Sequence, residues 1–225
     1  MKKLLMLLAF ISVIACKKKE EQPTESKVEE TVELSNQESK IDYASYGMKA
    51  MDAPKGLEKG TLAPEVNLTI DGEQVALSDI YKDQKVALIF YRGYWCPVCN
   101  KHLSEFATRA KELQDKGLKL IAITPEAQGG IDKTKEKTKA DFIIVSDTDG
   151  SIQKAFDVDY GVTNEYTSKV QEKLKVAISE NNANGKSELP VPATYVINTS
   201  GEIIFAHFDP DYHNRASIDE ILGAL

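Results

Sequence analysis

Three apolar runs punctuate the middle of the chain: VALIFYR (86–92), LKLIAIT (118–124) and FIIVSD (142–147). Each has the length of a strand and is apolar at consecutive positions, as strands buried on both faces are. After the first run, Leu103, Phe106, Ala110 and Leu113 recur at helical spacing, and Gly117 marks the end of that helix. The charged stretch AQGGIDKTKEKTKAD is helix-compatible, and DGSIQKAFDV predicts a short helix entered through a turn. Strands alternating with helical crossovers predict a parallel sheet core.

The flanks of this core read differently. APEVNLTIDGEQVALSD (63–79) alternates apolar side chains around a DG turn and predicts an N-terminal β-hairpin. NEYTSKVQEKLKVAISE (164–180) places Val170, Leu174, Ala177 and Ile178 on one stripe and predicts a single amphipathic helix, followed by the polar loop NNANGKSE. ATYVIN, the turn TSG and EIIFAHF predict an antiparallel hairpin, and IDEILGAL a final helix. The expected class is α/β, a central mixed sheet flanked by helices, with no internal repeat.

The ends change the picture of where this domain works. Residues 1–15 join Lys2 and Lys3 to an apolar or small run from Leu4 to Ala15, the pattern of an export signal. That run is shorter than the roughly 20 residues a bilayer span needs. Cys16 follows at the cut site, and VIAC resembles the lipobox of bacterial lipoproteins, which implies acylation of Cys16 and an anchor in a membrane of the cell envelope. Several acyl chains on one residue anchor stably where one does so only marginally. Residues 17–40 are polar, charged and free of aromatics, so they read as a flexible tether with a reach of about 25–30 Å. The basic-then-acidic KKKEE within it is as well explained by solubility as by sorting. Loss of residues 1–15 removes Lys2 and Lys3 and moves the net charge from -7 to -9. Such a balance argues against a nucleic-acid partner. The remainder, 41–225, suits one sizeable domain.

With Cys16 set aside, the thiols are Cys96 and Cys99, in YRGYWCPVCNKH. A strand, a two-cysteine loop and a helix beginning at the motif place sulfur at a helix N-terminus, where unpaired N–H groups and the dipole favour thiolate. Pro97 suits the first helical position, and Tyr94 and Trp95 are placed to shield the sulfurs. A c-type haem site is excluded because Asn100, not histidine, follows Cys99. A metal site would need His102 beside both cysteines, with His207 and His213 as further nitrogen donors. A structural staple is disfavoured because so short a loop gains little from closure. Redox cycling of Cys96 and Cys99, without a bound cofactor, is the favoured reading. Arg92 is either a fixed positive charge near the thiols or a solvated strand-end residue, and His102 either a proton-transfer group or a packing residue. SDTDG reads as a turn and helix cap, since the remaining calcium-ligand pattern is missing.

Taken together, LAPEVNLTIDGEQVALSDIY, VALIFYRGYWCPVCNKHLSEF, LPVPATYVINTSGEIIFAHFDPDY and IDEIL resemble the peroxiredoxin-like branch of the alkyl hydroperoxide reductase/thiol-specific antioxidant superfamily. The resemblance implies a thioredoxin fold, with Pro192 at the position of the cis-proline beside the active thiols. It puts Cys99 at the peroxidatic position and Cys96 where the family's peroxidases carry threonine. Their strand arginine has no counterpart, its place being held by Pro192. These departures lend weight to thioredoxin-like disulfide exchange, in which a more exposed Cys96 attacks first. Because the resemblance runs along the whole domain, the favoured implied activity is reduction of hydrogen peroxide or organic hydroperoxides, with exchange with protein disulfides as the alternative, each renewed by a thioredoxin-like electron donor. A non-enzymatic envelope binding protein is a third expectation.

Overall fold

The computed structural model describes residues 41–225. The expected signal segment, Cys16 and the tether lie outside the described residues. Among the described residues, no helix is long and apolar enough to cross a membrane.

Five strands make the central sheet. The three apolar runs form β3 (Lys85–Phe90), β4 (Leu118–Thr124) and β5 (Ile143–Ser146), which pair in parallel. The late hairpin, β8 (Ala193–Ile197) and β9 (Ile203–Phe208), adds antiparallel to the free side of β3. The order across the sheet is β5-β4-β3-β8-β9, so β3 is central and buried on both faces. Its odd positions, Ala87 and Ile89, face one core with α2 (Pro97–Asp115) and α7 (Ile218–Gly223); its even positions, Val86, Leu88 and Phe90, face a second with α1 (Leu77–Tyr81) and α4 (Ser151–Ala155). The class is α/β with a central mixed sheet flanked by helices, as expected. The N-terminal hairpin is also present, as β1 (Asn67–Ile70) and β2 (Glu73–Ala76), with Asp71 and Gly72 at positive φ in its turn.

Two elements depart from the sequence pattern. The expected single helix over 164–180 is two helices, α5 (Asn164–Leu174) and α6 (Ile178–Asn181). Lys175 breaks it, in the left-handed conformation with φ 57°, its N–H donating to the Gln171 carbonyl at 3.1 Å. The buried positions become Tyr166, Val170, Val176 and Ile178, and Leu174 is exposed. In addition, β6 (Asp159–Gly161) and β7 (Glu188–Pro190) pair antiparallel; each is too short to show a period. SDTDG does cap a helix: Asp147 accepts from the N–H groups of Ile152 (3.2 Å) and Gln153 (2.8 Å) at the start of α4.

Candidate active site

The cysteine loop leaves the C-terminal end of β3 and enters α2. Cys96 is the N-cap residue, extended in backbone, with its Sγ accepting the Cys99 N–H at 3.2 Å, and Pro97 takes the first helical position. The spacing that puts a sulfur over the helix N-terminus also brings its partner within reach. Cys96 and Cys99 are disulfide-bonded, their Cα atoms 5.2 Å apart, within the usual span for such a bond.

A buried carboxyl group braces the loop. Glu126, two residues beyond β4, accepts the Tyr94 N–H at 2.8 Å through Oε2. Burial pushes this acid up to about 8, against the pull of Lys133 and Lys137. Those lysines lie over the Tyr94 ring, 4.4 and 4.9 Å from its centroid. Gly93 is required here: its φ is 152°, and a Cβ would meet Glu126 Oε1 and Trp95 Nε1 at 2.5 Å each. Both of those atoms are buried without a hydrogen-bond partner.

Two guanidinium groups face the disulfide. Arg92 is buried, 3% exposed, and donates to Cys96 Sγ at 3.2 Å and to the Tyr166 hydroxyl at 2.7 Å. Its Cζ lies 3.7 Å from the Tyr212 ring centroid and 5.5 Å from that of Trp95. Arg215 comes from the segment between β9 and α7; it donates to Cys99 Sγ at 3.5 Å and to the Tyr212 carbonyl at 2.6 Å. Burial, with Arg92 nearby, lowers Arg215 to about 9. Among the described residues, neither guanidinium forms an ion pair with a carboxylate.

The N-terminal end of the described chain completes the wall. Met48 packs in the same cluster as both cysteines, Trp95 and Val191. Tyr46 meets the Tyr212 ring edge-on at 5.9 Å. Gly47, at φ 84°, lies so close to Tyr166 that a Cβ would come within 2.5 Å of its ring, and its carbonyl accepts the Thr163 N–H at 2.9 Å.

Several expectations change at this site. Cys96 is not the more exposed cysteine: both are fully buried, in a cluster that also holds Met48, Trp95, Leu103 and Val191. Arg92 is not a solvated strand-end residue, since it is held between the rings and the sulfur. His102 is a packing residue. It is buried, its Nε2 bonds the Ala216 carbonyl at 2.9 Å, its ring stands edge-on to Phe106, and burial lowers it to about 4. Pro192 is buried just before β8. Because Thr194 pairs with Ile89, Pro192 lies at the end of β3 from which the cysteine loop departs. Glu126, Tyr166, Tyr212 and Arg215 were missed by sequence reasoning. Arg215 has no signal in its neighbourhood; the family's strand arginine has no counterpart beside β8, where Pro192 stands, and the second cation comes from a segment that the sequence reading did not single out.

Beside the disulfide is a groove of about 270 Å³, walled by Trp95, Val98, Val170, Leu174 and Tyr212, with Lys169 and Lys173 at its rim. Its lining contains no acidic side chain.

Comparison with known proteins places this geometry in context. A family model described as "AhpC/TSA family" matches residues 60–206. Peroxiredoxin Bcp of Bacillus subtilis is 32% identical over 103 residues, 45% of this chain and 65% of that relative. Sporulation thiol-disulfide oxidoreductase A of the same organism is 29% identical over 112 residues, 47% of this chain and 66% of that relative. In both cases the chain spans less than two thirds of the curated relative's length. The crystal structure of peroxidoxin BcpB from Mycobacterium tuberculosis superposes with a TM-score of 0.56 at 22% identity, covering 75% of this chain and 96% of that one. The likeness establishes the thioredoxin-type fold.

Proposed function

The chain belongs to the AhpC/TSA family, and from that premise we propose that it is a thiol-dependent peroxidase working through Cys99 and Cys96. The Cys99 thiolate attacks the terminal oxygen of a hydroperoxide; the O–O bond breaks, the leaving oxygen departs as an alcohol or water after protonation, and Cys99 becomes a sulfenic acid. The Cys96 sulfur then displaces that hydroxyl, which leaves as water, and closes the disulfide. A thioredoxin-like dithiol donor returns the pair to its reduced form by exchange.

The observation that carries this reading is a fully buried sulfur pair with a guanidinium on each member. A two-oxygen oxidant is small enough for such a site, and a fixed cation in a water-poor pocket stabilises the oxygen that leaves with the electron pair. The adjoining groove suits the organic portion of an alkyl hydroperoxide. A second reading, disulfide exchange begun by Cys96, is favoured by the placement of its sulfur on the helix N-terminus.

Rapid mixing of the reduced protein with hydrogen peroxide separates the two. Oxidation that persists in Cys96→Ser and is abolished in Cys99→Ser is expected. Oxidation no faster than that of free cysteine, beside rapid reduction of a protein disulfide, would overturn the peroxidase in favour of exchange. If neither reagent reacts, a non-enzymatic envelope binding protein is the reading that survives.

We further propose that the protein works at the cell envelope, held to a membrane through acylated Cys16 with residues 17–40 as its tether. The support is the apolar run, the small residue before Cys16 and the polar composition of the tether.

A further inference from the structure

In the disulfide form neither sulfur carries a formal charge, yet each accepts from a guanidinium group. Arg92 reaches Cys96 Sγ at 3.2 Å and Arg215 reaches Cys99 Sγ at 3.5 Å. Arg92 Nε is buried without any partner. Of the groups facing them, Tyr166 comes from α5, Tyr160 from β6 and Tyr212 from the segment after β9. Burial raises Tyr160 and Tyr166 above the ordinary phenol value, so these hydroxyls stay neutral. His102 on α2 is neutral too, and His207 on β9 is the other imidazole near it. Asp211 is the acidic group Arg215 senses, and it is committed to the backbone N–H and ring of His213. A buried Arg92 and a half-buried Arg215 with so little anionic compensation repel each other and are incompletely solvated.

We propose that the reduced site carries both sulfurs as thiolates, Cys96 paired with Arg92 and Cys99 with Arg215, so that Arg215 is a catalytic residue and reduction supplies the missing negative charge. The inference rests on the reading of Cys96 and Cys99 as a redox pair. It does not depend on which oxidant they meet.

The chemistry balances in both directions. A dithiol donor cleaves the protein disulfide and forms its own; two electrons pass to the protein, which becomes a pair of thiolates, and the donor's two protons go to water. In the reverse half, two thiolates, one hydroperoxide and two protons give the disulfide, one alcohol and one water. Stabilising the reduced form makes the couple a stronger oxidant. Because the protein itself gains no protons, its reduction also loses the usual dependence on pH. An ordinary dithiol takes up two protons, so reduction by a donor whose own thiols stay ionised falls about a hundredfold per pH unit. Here it is expected to be nearly flat.

Thiolate absorbance near 240 nm, titrated on the reduced protein with a Cys96→Ser/Cys99→Ser double variant as the baseline, tests the proposal. The baseline removes the contribution of Cys16. The expected result is an absorbance step worth two thiolates, complete below about pH 7. Arg215→Met should move one of the two steps upward by a tenfold or greater change in ionisation, and the Cys96→Ser variant should show that the displaced step belongs to Cys99. Arg215→Lys should restore part of it, which keeps the test valid if the methionine variant folds poorly. A step worth one thiolate, with the second sulfur titrating like free cysteine, would overturn the proposal, as would an unchanged Cys99 step in both Arg215 variants. Reaction of the same samples with hydrogen peroxide reports separately on the peroxidase reading: a fast peroxide reaction with only one ionised sulfur leaves that reading standing while this one fails.

Discussion

At the scale of single residues, two buried ionisable groups set opposite limits on stability. His102 is lowered by burial to about 4. Its folded value lies below its ordinary one, so the folded state resists protonation and loses stability as pH falls from about 6.5 towards 4, by about 3 kcal/mol in all. Glu126 runs the other way. Burial raises it to about 8, so the advantage of its neutral form is full below about pH 4.5 and is lost as pH rises through 8. Between about pH 4.5 and 6.5 both groups are part-way through these losses, and because the two slopes have opposite sign, stability there is nearly level with pH. Urea unfolding across pH should show His102→Gln flattening the acid limb and Glu126→Gln flattening the alkaline one, each relative to the parent protein. An acid limb unaltered by His102→Gln would mean that this imidazole titrates freely. Glu126 is also the brace of the Gly93–Trp95 loop, so its ionisation and the loop's placement are linked through one hydrogen bond.

At the scale of elements, the break between α5 and α6 shows what a periodic reading leaves out. The stripe Val170, Leu174, Ala177 and Ile178 satisfies helical spacing, but Lys175 adopts φ 57° and ends the helix. A lysine there carries the left-handed penalty that glycine avoids. Lys175→Gly is therefore expected to stabilise the protein by up to about 1 kcal/mol, read as a higher denaturant midpoint at unchanged slope. A lower midpoint would show that the lysine side chain contributes more than its backbone costs. Elements with long, unambiguous patterns were legible in the sequence: the apolar runs became β3, β4 and β5, and the cysteine helix became α2. The pair β6 and β7 was not, because three-residue strands are specified by their tertiary partner. The cysteines announced themselves through spacing, while Arg215, 116 residues from Cys99, is joined to it only by the fold.

At the scale of the whole molecule, placement and chemistry have separate determinants. The fold supplies the redox pair, and residues 1–40 supply the proposed anchor. Metabolic labelling with a clickable fatty acid in a bacterial host should mark the full chain and fail to mark Cys16→Ala, which should also leave the membrane fraction. Equal labelling of both would remove the anchor while leaving the redox chemistry untouched. The acidic net charge of -7 coexists with a cationic site, where Arg92, Arg215, Lys169 and Lys173 gather around the disulfide and its groove. Local charge thus differs in sign from the molecular average, which suits the anionic sulfur and oxygen of the proposed chemistry.

The packing of Tyr46, Gly47 and Met48 against the site gives the family match a second meaning. That match covers residues 60–206, whereas Met48 lies before it and Tyr212 and Arg215 lie after it. The cysteine loop, Arg92, Glu126 and Tyr166 are thus in the stretch held in common, while one wall of the site and the cation on Cys99 come from the flanks. The matched stretch holds the sulfur pair; the two ends of the domain complete its surroundings. A fragment trimmed to the matched stretch would keep both cysteines and leave Cys99 without its arginine, so the pair and its electrostatic setting are separable by truncation.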